Sequence, residues 1–250
     1  MFEMAKLYEI DFAALSGAEK SKFILDLKDL AEECFAAYPF EVTINAQLLI
    51  FTRWWNSYRL MVPEIPAPEI LETIMEMLWD YQEGKIEPSE FMRFADCLDA
   101  VVIEIATGDT EKLDKDEAYY DFKAQYFWNW AEGEPYYNIF LIDASSLFEE
   151  IREHIIDWNC VQSIVDCDLA DLKVPFLEEM DEAPDCTVNV LEKWFQEVYN
   201  TPTFCEVISL LQRDIQNALS GMPMAELRKQ YQSEYVFSPE DCAKITEEAF

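Results

Sequence analysis

Five carboxylates stand at spacings that suit a divalent cation. Glu149, Glu150 and Glu153 form EExxE on a stretch of helical periodicity, and Glu178 with Asp181 forms ExxD further along. Hard oxygen ligands from two neighbouring helices suit Mg²⁺, which would bridge the phosphates of a nucleotide and stabilise a leaving phosphate. The chain carries 51 Asp and Glu against 18 Lys and Arg, so composition alone also generates short acidic patterns. Other chemistries fail on residue type. One histidine, His154, cannot furnish the imidazole pair of a zinc or di-iron site, and no nucleophile triad is evident in the sequence. His154 lies between Ile151 and Trp158 on one apolar stripe, where a hydrogen-bonded structural role is expected. A calcium loop counted from Asp166 puts Asp171 where glycine is needed and Leu177 where glutamate is needed. Five glycines leave no phosphate-cradling loop.

Charge is the stronger signal. The formal net charge of −33 repels nucleic-acid backbones and anionic lipid and speeds encounter with basic partners. Between Ala131 and Thr187 fifteen acids stand against Arg152 and Lys173 alone. The sequence therefore places a partner-binding surface there, carried by Glu132, Glu134, Glu178, Glu179, Asp181, Glu182 and Asp185. Tyr136 and Tyr137 are the aromatic anchors inside its charged rim. Acids of the segment Ala67 to Gly108 form a secondary part of that surface.

The elements that must position these residues read as helices almost throughout, in one all-α domain of about nine or ten helices spanning 1–250, an irregular multi-helix bundle or an array of antiparallel helix pairs, with a soft boundary near Gly133. Ala67 to Gly108 holds two amphipathic stretches joined at Gly84 to Pro88, a helical hairpin. Thr43 to Leu60 is apolar on most sides and belongs at the centre, with Arg53 and Arg59 expected to pair with nearby carboxylates. Helices are also expected over Ser16 to Tyr38, Ser145 to Asp166, Val188 to Asn200, Thr203 to Ser220 and Pro223 to Tyr235, with a last one opened by Ser238 and Pro239. Tyr136 to Ile142 is the one plausible strand, though it also suits the start of the following helix. Asp168 to Asp185 reads as a short helix and an acidic loop. No basic, apolar leader opens the chain, and its apolar runs are too short to span a bilayer, so a cytoplasmic protein is expected. Seven cysteines without a CxxC pair read as reduced core residues.

Two resemblances follow. EExxE with ExxD resembles the magnesium-binding signature of the all-α nucleoside triphosphate pyrophosphohydrolases, which implies Mg²⁺ held by Glu150, Glu153, Glu178 and Asp181. The general character of the chain, acidic, all-helical and without catalytic groups, resembles the immunity proteins of bacterial polymorphic toxin systems, which bind and block a cognate toxin. That resemblance implies a basic protein partner, no catalytic residue, no cofactor, no nucleic acid and no membrane. It is the reading adopted, with the Mg²⁺ enzyme as the alternative and a nucleic-acid-mimicking inhibitor as the second alternative.

Overall fold

The stretch INAQLLIFTRWWNSYRL is apolar around most of its circumference, and such a helix is stable only when neighbours cover every side. In the computed structural model, which describes residues 7–61, 69–107, 116–127, 135–165 and 191–249, it lies in helix α3 (Phe40–Met61). Two short 3₁₀ turns, α1 (Gly17–Leu25) and α2 (Leu27–Phe35) precede it. The chain continues through α4 (Glu69–Gln82), α5 (Pro88–Thr107), α6 (Glu117–Tyr126), α7 (Pro135–Glu153) and α8 (Asn159–Ser163). Then come α9 (Leu191–Val198), α10 (Pro202–Leu219), α11 (Met224–Tyr231) and α12 (Pro239–Ala249). The fold is all-α, and no strand occurs among the described residues.

Helix α3 is the axis. It touches α4, α7, α8, α10, α11 and α12, and Leu48, Leu49, Phe51, Trp54 and Trp55 are all buried on it. Each such side chain contributes at most about 1.5–3 kcal/mol of burial free energy. One cluster of buried side chains runs from Leu7 to Cys242. The hairpin α4–α5 flanks this axis: α4 reaches α3, while α5 lies chiefly along α7, where Phe91 stacks on Phe148 at 4.8 Å. Gly84 closes α4 at φ 69°, the left-handed geometry expected of it, and the N–H of Lys85 reaches back to the carbonyl of Asp80 at 2.8 Å.

Two helices differ from expectation, and one open alternative is decided. The helix expected over Ser16 to Tyr38 is broken at Asp26, because the side chain of Gln162 on α8 enters the ladder there. Its Nε2 donates to the Ile24 carbonyl at 3.0 Å and its Oε1 accepts from the Lys28 N–H at 3.1 Å, the two groups a continuous helix would join. Of the two readings open for Tyr136 to Ile142, a strand or the start of the following helix, the second holds, and the segment begins α7. A short apolar run is ambiguous by itself, but buried Phe140, Leu141, Ala144, Leu147, Phe148 and Ile151 keep helical spacing. The helix expected over Ser145 to Asp166 stops at Glu153. His154 takes a left-handed φ of 54° and the N–H of Ile155 caps the Glu150 carbonyl at 3.0 Å, after which Trp158, at φ 57°, leads into α8. A ring contact of 4.0 Å between His154 and Phe40 helps hold this unusual backbone. His154 is thus a turn residue, exposed to solvent.

The C-terminal helices are latched to α3. Arg53 is 2% exposed and forks onto Asp214, Nε to Oδ2 at 2.8 Å and Nη2 to Oδ1 at 2.6 Å, while Nη1 reaches Glu234 at 2.7 Å. One turn along, Asn56 donates to the carbonyls of Tyr231 and Glu234, and the Ser57 hydroxyl accepts from the N–H groups of Val236 and Phe237. These bonds hold the chain in a turn after Tyr231, where the sequence pattern runs the helix on to Tyr235. The expected cap of α12 is present, with the N–H of Asp241 donating to the Ser238 hydroxyl at 3.1 Å.

An acidic surface and a cleft beside the helical hairpin

Glu132, Glu134, Glu178, Glu179, Asp181, Glu182 and Asp185 lie outside the described residues, as do the short helix and loop expected over Asp168 to Asp185. Tyr136 and Tyr137 fall in the first turn of α7.

Helix α7 separates the carboxylates of EExxE. Glu149 and Glu153 face solvent, and Arg152 holds Glu153 at 3.1 Å, but Glu150 is 2% exposed and turned inward against α3. There its Oε2 accepts from Gln47 Nε2 at 2.6 Å, and its Oε1, though near backbone N–H groups, completes no hydrogen bond among the described residues. Burial pushes the Glu150 carboxyl up to about 7, against the opposing pull of Gln47, the N–H groups of Trp158 and Asn159, and the Lys28 ammonium. A carboxyl enclosed in this way does not share an open face with Glu153. Glu178 and Asp181 lie outside the described residues, and among those described no group of three or more His, Cys, Asp or Glu is placed to hold a metal ion.

The basic side chains are mostly engaged within the chain. Lys22 pairs with Asp26, Lys28 with Asp157, Arg59 with Glu72, Lys85 with Asp80 and Glu83, and Lys123 with Glu104. Arg152 meets Asp96 and Asp99, Arg213 meets Glu234, Arg228 meets Asp80 and Glu83, and Lys244 meets Asp241. Burial and the forked bonds to Arg53 oppose each other at Asp214: burial pushes its carboxyl up, whereas Arg53 and the Tyr231 hydroxyl favour the anion. With these cations spoken for, the carboxylates left over set the potential of the surface.

A cleft of about 620 Å³ opens between α4, α5 and α6. Its floor is apolar: Phe94 and Phe122 are buried with ring centroids 5.2 Å apart, and Met77 and Tyr126 lie beside them. Exposed Glu90, Glu117 and Asp121 line its rim, and none of the three makes an ion pair or side-chain hydrogen bond among the described residues. Asp116, also on the rim, caps α6 by accepting from the Tyr119 N–H at 2.9 Å. Arg93 is the basic residue of the lining and makes no ion pair among the described residues. Two groups of the lining are raised, chiefly by burial and then by neighbouring acids: burial and the Glu69 carboxylate push the Tyr126 hydroxyl up, and burial, Asp116 and Asp96 do the same to the Cys97 thiol despite Arg93.

Phe91, Phe94 and Leu98 recur at helical spacing on α5, and they are buried. The cleft itself was missed, because it arises where α6 docks across α5 instead of extending the hairpin. A signal was present in Glu117 and Asp121, four residues apart on a helix whose Phe122 faces inward. No helix among the described residues is long and apolar enough to cross a membrane. Neither a family model nor a curated protein nor a solved structure matches the chain.

Proposed function

We propose that this chain binds a basic protein partner and neutralises it by direct contact, in the manner of the bacterial immunity proteins it resembles. The observation that carries the reading is the uneven use of charge. Most described cations are engaged internally, while Glu90, Glu117 and Asp121 make no ion pair among the described residues beside an apolar cleft, in a chain of net charge −33. Charges placed this way act on the rate of encounter, and apolar anchors act on residence time. Cys34, Cys97, Cys160, Cys205 and Cys242 are free thiols, which suits a reducing cytoplasm. No catalytic group or cofactor is needed for this role.

The test is capture of a basic partner at low salt, beginning with the product of the neighbouring gene, followed by charge reversal of Glu178, Glu179, Asp181 and Glu182. The reading expects the captured protein to be toxic alone and silenced by this chain. It also expects association to slow at least tenfold on charge reversal or in high salt. A neighbouring basic product that is neither captured nor silenced would sink it. Capture of a nucleic-acid enzyme at its substrate groove would replace it with the mimicry reading.

A further inference from the structure

We infer that the cleft between α4, α5 and α6 is the anchoring pocket for a short basic segment of the protein partner, in which lysine or arginine flanks an aromatic or long apolar side chain. The inference rests on the binding role proposed above and adds the place and the chemistry of recognition.

Size argues for a segment. About 620 Å³ falls within the range of built ligand sites and exceeds what one side chain fills. The floor specifies an apolar anchor: Phe94 and Phe122 meet edge to face at 5.2 Å, Tyr126 packs on Phe122 at 5.0 Å, and Met77 offers an adaptable thioether. The rim specifies the sign of the flanking charge. Glu90 comes from the start of α5, and Glu117 and Asp121 from successive turns of α6, so carboxylates without an ion pair among the described residues stand on two sides of the apolar floor. A phosphate or an acidic peptide meets repulsion here, whereas a lysine or arginine reaches the rim while its neighbour fills the floor. Arg93 introduces asymmetry. Its guanidinium, which makes no ion pair among the described residues, can donate to a backbone carbonyl of the segment, and its charge turns flanking cations towards Glu117 and Asp121.

The probes are the peptides Lys-Lys-Trp-Lys-Lys and Lys-Lys-Ser-Lys-Lys, titrated calorimetrically at low salt into the full chain. The tryptophan peptide should bind at least fivefold more tightly than the serine peptide. Glu117→Lys with Asp121→Lys should weaken it at least tenfold. Glu32→Lys with Glu33→Lys, the same charge change at exposed positions on α2, should weaken it less than threefold. Gln125→Trp, an exposed lining residue enlarged to fill the mouth, should abolish the preference for tryptophan. Unchanged circular dichroism shows that each variant is folded. Equal binding of the two peptides, no binding of either, or equal weakening by the two lysine pairs overturns the pocket. Those outcomes leave the capture experiment to decide the broader reading, and loss of capture with the peptide results intact rejects the broader reading alone.

Discussion

Glu150 is an ionisable group where ionisation is costly. Its folded value of about 7 stands above the ordinary 4.5 of an unfolded glutamate, so between those limits the folded state binds the extra proton. Stability from this residue is therefore full below about pH 4.5, falls as the pH rises towards 7, and is flat above. Glu150→Gln does not titrate and keeps a carbonyl for Gln47. Its stability relative to the parent should rise by up to about 3 kcal/mol between pH 4.5 and pH 8, read from urea midpoints at the two pH values. A constant difference across pH would show that the carboxyl does not titrate in the core. Spacing alone could not foresee this. Glu149, Glu150 and Glu153 look equivalent on a helical wheel of polar residues, and Glu150 is singled out by Gln47, which lies 103 positions away in the chain.

Helices with one clean apolar stripe were legible, and helices altered by a distant side chain were not. The hairpin turn at Gly84, the central place of α3 and the Ser238 cap all follow from local chemistry. The break at Asp26 and the end of α11 at Tyr231 depend on Gln162, Arg53 and Asn56, whose partners no local pattern names. Pairing for Arg53 and Arg59 was expected with neighbouring carboxylates. Arg59 does meet Glu72 at 3.6 Å, but Arg53 crosses 161 positions to Asp214. This latch between α3 and α10 yields a prediction of its own. Asp214→Ala leaves a buried guanidinium half satisfied and should cost about 3 kcal/mol in chemical denaturation, whereas Arg53→Met combined with Asp214→Leu should recover most of that loss. If the double variant is as unstable as Asp214→Ala, the ion pair has a positive worth that packing does not replace.

Across the whole molecule, a net charge of −33 sets self-repulsion against one continuous core. Salt screens that repulsion, while the exposed ion pairs it also weakens contribute little. Thermal midpoints should therefore rise by several degrees between low and moderate ionic strength; a fall would mean that the pairs outweigh the repulsion. One bond described above also turns a backbone proton into a gauge of long-range assembly. The Lys28 amide would ordinarily be shielded from deuterium by its own helix, but here its shield is Gln162, supplied by α8 from 134 positions further along. Its exchange rate thus counts the moments when α8 lifts away from the α1–α2 elbow, at the resolution of a single hydrogen. Gln162→Ala should make that proton exchange at least tenfold faster while the amides within α3 keep their protection.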